Sequence, residues 1–462
     1  MPKKLLFLLI FAFSGMVFAQ NVIMVDPGDG SLTTAIENAS SGDILVLING
    51  AEYTTSTANF AVLKNKQITI KAEEPTAEVK PILYSNFTPG ENSPSEYFVM
   101  DEGSALTLEG LEIRGDSPMA PGIPVQTKLI SYPVPLNEIQ VGKLYIKDCV
   151  IHDFAGNMID GAFDETLYNV VQDTIMIHNT IVYNLGDEPG SGTTGSVVQF
   201  KYANCKYFEA KNCTFYHINA YGLRFMGGSS YPNSFPPKGL IDHCTFNDVG
   251  GGKNMILVEH SENEWVLSNS IFSNAQDKTE KVLYFKRASS DMPPIATWQK
   301  LCFWELGPNR DLRWVTIPSE NDTIYMDPEY LDPENGDFTL PAGSPLLTFG
   351  TDGGPIGDLR WAGNAVSVEE NEILPTSFSL EQNYPNPFNP TTNISFTIPE
   401  AGYTKLAVYD ILGREVAVLI DGQLNAGNHN VTFNAENLST GIYLYKLTSK
   451  ETSLVRKMML IK

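Results

Sequence analysis

Five segments decide the fold: LYIKDCVIHDF at 144–154, IMIHNTIVYNL at 175–185, FEAKNCTFYHI at 208–218, LIDHCTFNDV at 240–249 and WVLSNSIFSNA at 265–275. Aligned on the polar residue that precedes a small one, their anchors are Asp148, Asn179, Asn212, His243 and Asn269, spaced 31, 33, 31 and 26 residues apart. A repeat of this period marks a solenoid, in which each unit buries its apolar face only by stacking on its neighbours.

The columns of the alignment identify the solenoid. The residue after each anchor is small (Cys149, Thr180, Cys213, Cys244, Ser270), and the third after it is bulky and apolar (Ile151, Val182, Phe215, Phe246, Phe272). Apolar residues at alternate positions on both sides of the anchor describe two strands meeting at a sharp polar turn. Asn and Asp suit that turn because they tolerate left-handed backbone. Each unit then carries another short strand: MIDGA at 158–162, VVQFK at 197–201, GLRFM at 222–226, MILVE at 255–259 and VLYFK at 282–286. Stacked in that register, Ile159, Val198, Leu223, Ile256 and Leu283 form one inward file, and Gly161, Phe200, Phe225, Val258 and Phe285 the next. The expected fold is all-β: a right-handed parallel β-helix.

Residues 1–19 read as a secretory signal. Lys3 and Lys4 lead an apolar run too short to span a bilayer, and Val17-Phe18-Ala19 suits cleavage. No other stretch has the length of a transmembrane segment. The chain carries 31 basic and 54 acidic residues, a net charge of −23. Because residues 371–462 are close to neutral, nearly all of that charge lies in the central part, which excludes nucleic acid as a partner. An acidic polysaccharide would need a local basic patch or bound cations. Five cysteines without close pairs argue for buried thiols stacked coil on coil, against both a disulfide framework and a zinc site.

From residue 21, Leu32, Ala35, Ile36 and Ala39 have helical spacing with Ser31 placed to cap, so a short helix should plug the first coil. Gly110 falls at an anchor position, and the excess PMAPGIPVQTKLISYPVP that follows reads as a protruding loop. Gly/Pro/Ser-rich insertions at 186–195 and 227–237 read as loops able to wall a groove. Residues 321–361 read as a closing coil whose Pro, Gly and Asp spacing suits tight turns ending the stack. After a linker at 362–375, residues 376–462 alternate short strands with Gly, Asn and Pro turns, the pattern of a small immunoglobulin-like β-sandwich.

The β-helix unit, 20–361, resembles the pectate-lyase-like superfamily. The C-terminal unit resembles the sorting domain of the type IX secretion system through Tyr384-Pro385-Asn386-Pro387-Phe388-Asn389-Pro390, Tyr409-Asp410, Gly413-Arg414 and Gly441-Ile442-Tyr443. That resemblance implies handling by type IX secretion machinery and a secreted or outer-membrane surface location.

Chemistry is expected on the outward side of the third strand, where Asp160, Gln199, Arg224, Leu257 and Tyr284 make one row and Ala162, Lys201, Met226, Glu259 and Lys286 the next. Lys201 and Arg224 then stand on adjacent coils, their Cα atoms roughly 8 Å apart. The run VVQFKYANCKYFEAKNCTFYHINAYGLRFMGG resembles polysaccharide lyase family six, chondroitinase B and alginate lyases. That resemblance implies Lys201 as general base and Arg224 at the leaving glycosidic oxygen in a β-elimination on a uronate. It departs from the family where Thr194-Gly195-Ser196-Val197-Val198 stands in place of acidic calcium ligands, and where Phe225-Met226-Gly227-Gly228 follows the arginine in place of a histidine. If calcium is the cofactor, Asp160 and Asp164 are the acidic candidates. Gln199, Tyr202, Tyr221, Glu259, Tyr284 and Lys286 are the expected substrate-binding residues, with the tyrosines as sugar-stacking faces. Ile241-Asp242-His243 resembles a strand motif of pectate lyase family one, but His243 occupies a turn anchor and is expected to serve the turn. The paired aspartates and Gly-His-Gly of polygalacturonases are absent. Two functions remain: a polysaccharide lyase, or a non-catalytic β-helix that binds glycans or mediates adhesion.

Overall fold

The computed structural model describes residues 21–56, 59–86, 96–117, 120–124, 128–133, 137–161, 170–186, 195–201, 203–226, 236–251, 253–276, 282–287, 293–307 and 315–363 of the first part of the chain. In the second part it describes 379–380, 383, 386, 388–398, 402–410, 413–424, 427–436, 438–449 and 452–461. The expected export signal, Tyr202 and Asp164, and most of the insertions at 186–195 and 227–237 lie outside these residues. The chain forms two compact units, Met1–Ala365 and Val366–Lys462. Among the described residues no helix is long and apolar enough to cross a membrane.

The first unit is a right-handed parallel β-helix. Two 11-stranded parallel sheets and an 8-stranded one run along it, and successive strands of the chain visit the three sheets in turn. The strands Ile139–Lys147, Val170–His178, Asn204–Lys211, Lys238–Asp242 and Trp265–Ser268 belong to the first sheet; Val150–Phe154, Ile181–Leu185, Thr214–Ile218, Thr245–Val249 and Ile271–Ser273 belong to the second. The third contains Ile159–Gly161, Val198–Phe200, Leu223–Phe225, Ile256–Ser261 and Leu283–Arg287.

A single left-handed residue turns the chain from the first sheet to the second on every one of these coils. Asp148, Asn179, Asn212, His243 and Asn269 have φ of 54, 49, 52, 49 and 47°. The anchor N–H reaches across to the next coil: Asn179 N donates to Lys211 O and Asn212 N to Asp242 O, both at 3.0 Å. The side chains make a second ladder, Asn179 Nδ2 to Asp148 Oδ1 at 3.1 Å and Asn212 Nδ2 to Asn179 Oδ1 at 2.9 Å. Gly110 takes the same role with φ 74°, and a Cβ there would fall 2.3 Å from Pro75 Cα. A second left-handed file, Asp153, Asn184, His217, Asp248 and Asn274, lies at the C-terminal end of the second-sheet strands.

The inward files are those of the repeat alignment. Ile159 pairs with Val198, Val198 with Leu223, Leu223 with Ile256 and Ile256 with Leu283. All five are fully buried, and Phe200, Phe225, Val258 and Phe285 stack beside them. Trp265 packs between Phe208, Phe225 and Phe285, so aromatic rings run through the core from coil to coil. All five cysteines are buried and free.

Four local expectations are revised. The helix Ser31–Asn38 does bury Leu32 and Ile36, but its N-cap is Gly30 at φ 69°, while Ser31 is the first helical residue and its hydroxyl donates to Gly28 O. The left-handed turn needed at that position favours glycine over a side-chain cap. The stretch after Gly110 is not wholly a loop: Asp116–Ser117 and Ala120–Pro124 form a small antiparallel ribbon, and Lys128–Ser131 joins the third sheet between Glu96–Met100 and Ile159–Gly161. Leu129 and Ile130 fill the core there.

The third revision concerns residues 321–361: Thr323–Tyr325 does add the last strand of the second sheet, but residues 326–361 do not end the stack as turns. They run back over the outer face of the second sheet, where Leu340, Leu346 and Ile356 cover Ile271 and Cys302. Asp358 is fastened there: Thr214 Oγ1 donates to its Oδ2 at 2.6 Å, and its own N–H donates to Thr245 Oγ1 at 3.0 Å. The apolar outward residues of that sheet needed a cover, which no repeat column announces. The fourth revision, at Tyr221, belongs to the site described below.

In the C-terminal unit a three-stranded antiparallel sheet (Ser379–Leu380, Thr391–Ile398, Gly427–Asn434) faces a four-stranded one (Gly402–Asp410, Glu415–Leu424, Gly441–Ser449, Thr452–Leu460). Phe388, Ile394, Phe396, Leu406, Tyr445 and Leu447 lie in the core between them. It is a small immunoglobulin-like β-sandwich.

Candidate functional site

Period-two alternation on a strand held inside by Ile159 and Gly161 must turn Asp160 outward, and the same holds on every coil. The outward row on the third sheet is Ser131, Asp160, Gln199, Arg224, Leu257 and Tyr284, joined pair by pair in register. Lys201 follows Phe200, the partner of Phe225, so it stands beyond Arg224 along the strand direction on the neighbouring coil.

A second row, three residues earlier, supports the first from the turn. Asn157 Nδ2 donates to Asp160 Oδ1 at 3.3 Å, and Ser196 Oγ donates to Gln199 Oε1 at 3.1 Å. On the next coil the Arg224 guanidinium lies over the Tyr221 ring, its Cζ 4.6 Å from the ring centroid. Arg224 Nε is buried and, among the described residues, has no hydrogen-bond partner. A buried N–H left unmet costs free energy until an acceptor reaches it.

Tyr221 is therefore not the open sugar-stacking face expected of it. It is 8 % exposed, its ring supports Arg224, and it packs with Ala220, Met226 and Leu257 in a small apolar cluster on the outside of the sheet. Tyr284 packs against the same cluster while staying half-buried. Gln199 is buried, and its side chain is oriented by Ser196.

Asp160 is engaged by a residue that the repeat pattern did not bring into view. Lys128, from the strand inside the expected loop, places Nζ 3.1 Å from Asp160 Oδ2. With Asn157 on the other oxygen, both carboxylate oxygens are engaged. Among the described residues no three His, Cys, Asp or Glu side chains converge as a metal site. Asp160 alone does not fit a calcium site, and Asp164 lies outside the described residues.

Farther along the row, Glu259 and His260 stand against Lys286. Lys286 Nζ is 3.5 Å from Glu259 Oε1 and 3.3 Å from His260 Nε2. His260 was missed because it belongs to a bulge, and a bulge breaks the alternation by which outward residues are recognised. Among the described residues this face carries Lys128, Lys201, Arg224 and Lys286 together with Glu96, Asp160 and Glu259, so cations and carboxylates are interleaved along it.

Two other features lie off the third-sheet face. A cleft of about 420 Å³ lies on the first coil among Met24, Asp26, Asp29, Ser31 and Thr34, away from the third-sheet face, and no cationic side chain lines it. On the outer face of the first sheet, His178 bridges Tyr145 (3.0 Å) and Glu209 (2.8 Å), while Tyr207 and Lys211 also bind Glu209 at 2.5 and 3.0 Å. Burial works against the Glu209 charge, but these donors outweigh it and hold its carboxyl at about 2. Each of these bonds is satisfied within the cluster, which ties three coils together.

Residues 239–361 match the model of a domain of unknown function, DUF5123, and residues 382–462 match that of a secretion system C-terminal sorting domain. The second match marks the chain as one handled by a secretion system. No curated protein matches the chain. Among solved structures, an alginate lyase of polysaccharide lyase family six, AlyGC, is similar at 18% identity and a TM-score of 0.39, covering 67% of this chain and 39% of that one. An arginine-to-alanine mutant of the same enzyme gives 18% identity and a TM-score of 0.41, covering 67% and 40%. The match thus spans about two-fifths of the length of those structures.

Proposed function

We propose that this chain is exported by type IX secretion machinery to the medium or the outer-membrane surface, where its β-helix unit cleaves an acidic polysaccharide by β-elimination. The observation that carries this reading is Arg224, steadied on Tyr221 with a buried, unpaired Nε, one coil and two positions from Lys201. In the reaction Lys201 takes the proton from the carbon beside the sugar carboxylate. The electron pair forms a carbon–carbon double bond, the glycosidic carbon–oxygen bond breaks, and the leaving oxygen develops charge against the Arg224 guanidinium before it is protonated. Fixed donors aimed at that oxygen lower the barrier because they need no reorganisation. A base of this kind must be neutral when it acts.

The experiment is to incubate the full chain with alginate, chondroitin, dermatan and pectate, with and without calcium, and follow absorbance of the unsaturated uronate product. A second reading, glycan binding or adhesion without chemistry, draws on Tyr284, half-buried at the edge of the apolar cluster, as a sugar-stacking face. A glycan array on the same protein separates the two readings, since only the first also yields unsaturated product.

A further inference from the structure

The third-sheet face holds a second charged cluster, on the coils beyond Arg224. Val258 pairs with Phe285 and Ser261 with Arg287, so Glu259 and His260 together oppose the single residue Lys286. A two-against-one bulge of this kind re-aims side chains and recurs next to functional sites. His260 takes φ 60°, a left-handed conformation that a non-glycine residue keeps only where its surroundings hold it.

The bulge puts three groups within reach of one another. Lys286 Nζ donates to His260 Nε2 at 3.3 Å and stands 3.5 Å from Glu259 Oε1, while His260 Nε2 is 3.8 Å from that oxygen. Burial and then the Lys286 charge lower the proton affinity of His260. The imidazole is thus neutral near pH 7, with Nε2 accepting and Nδ1 carrying the hydrogen. An ammonium has three N–H groups, and these contacts occupy two of them. The Lys286 side chain remains 34% exposed. Tyr284, two residues earlier on the same face, leads from this cluster back to Leu257 and Arg224.

We propose that Glu259, His260 and Lys286 form a subsite for the carboxylate of an acidic sugar, Lys286 reading the carboxylate and His260 acting as the positioning residue that holds Lys286. This rests on the reading given under Proposed function, because the sugar belongs to the same polysaccharide. Three strand spacings separate Lys201 from Lys286, about 14 Å, so the subsite reads a sugar a few units from the bond that breaks. With His260 neutral, Glu259 balances the lysine charge, so at pH 7 the carboxylate is read through the remaining Lys286 N–H, and the cluster becomes net positive only as His260 gains a proton. The described charged groups facing the imidazole are Glu259 on its own strand and Lys286 on the next; Arg287 is committed to the carbonyls of Glu262, Pro293 and Pro294. As pH falls, His260 gains a proton, ceases to accept from Lys286 and adds a second positive charge. Affinity for an acidic sugar then rises, and affinity for a neutral one does not.

The test is isothermal titration of the full chain from pH 5 to 8 with uronate hexasaccharides prepared from alginate and from polygalacturonate, and with cellohexaose as neutral control. Lys286→Gln is expected to weaken uronate binding about tenfold at pH 7, the scale of one charge-assisted hydrogen bond, and to leave the control unchanged. His260→Asn keeps an acceptor for Lys286 and tolerates the left-handed backbone. It is expected to hold the pH 7 affinity within about twofold, by retaining that one hydrogen bond, and to flatten the pH dependence. If both variants bind uronates as the wild type does, with the same pH slope, while the wild type still releases unsaturated uronate from a polymer, the subsite is overturned and the proposed function stands. If the wild type binds no uronate, both fall.

Discussion

The Arg224 guanidinium rests on the Tyr221 ring at 4.6 Å, so the aromatic group nearest the proposed reaction centre carries an arginine instead of a sugar. A partly buried cation–π contact of this kind is worth about 0.5–2 kcal/mol. Tyr221→Leu keeps the packing against Met226 and Leu257 but removes the ring, and turnover should fall about two- to thirtyfold with the fold intact by circular dichroism. Arg224→Lys loses the planar fork altogether. Its turnover should drop by about 10²–10³, the range for removing one fixed donor from a developing oxyanion, with a much smaller change in KM.

Acid stability should report on Glu209. Its carboxyl sits at about 2 in the folded chain against an ordinary 4.5. A depressed carboxylate stabilises the fold above its unfolded pKa, and that contribution is lost as pH falls from about 4.5 through about 2. Glu209→Gln should cost up to about 3 kcal/mol at pH 7. Thermal melts at stepped pH should show the gap between wild type and variant closing towards pH 2.

The turn ladder makes a ranked prediction at Asn212. Its Nδ2 donates to Asn179 Oδ1 at 2.9 Å and its Oδ1 accepts from Leu359 N at 2.7 Å, while its backbone sits at φ 52°. Asn212→Gly loses both bonds but keeps an easy left-handed turn; Asn212→Ala loses the bonds and is strained as well. In urea unfolding the order of stability should be Asn, Gly, Ala, with Gly about 1–2 kcal/mol and Ala about 2–3 kcal/mol below wild type.

The cysteines should be inert while the chain is folded. All five are buried and free, and burial pushes the Cys149 and Cys302 thiols up to about 12. A thiol reagent at pH 8 should label none in the native protein and all five in denaturant, because the thiolate is the reactive form.

The files from Ile159 to Leu283 and the anchors from Asp148 to Asn269 were legible in sequence because strand alternation and left-handed turns each leave a residue-type signature. Gly110 was legible for the same reason. What escaped has no period. Lys128 sits in a stretch rich in proline that reads as loop, although Leu129 and Ile130 complete a strand in the third sheet. His260 falls in a bulge, where two residues face one. The return of 326–361 over the second sheet depends on long-range bonds such as Thr214 to Asp358, 144 residues apart, which no local pattern encodes. At the site itself, the register of Gln199 with Arg224 was readable, but the engagement of Tyr221 beneath Arg224 and of Lys128 with Asp160 was not. Those are contacts between rows, and a column alignment shows only one row at a time.

The most direct measurement is the rise in absorbance of unsaturated uronate when the full chain and its Lys201→Ala variant are given each acidic polysaccharide in turn. The expected result is product with at least one polymer for the wild type and none for the variant, with both binding that polymer within a few-fold of one another. Product formed at an undiminished rate by Lys201→Ala would contradict the assignment of the base. No product from the wild type on any uronate polymer would contradict the reaction itself.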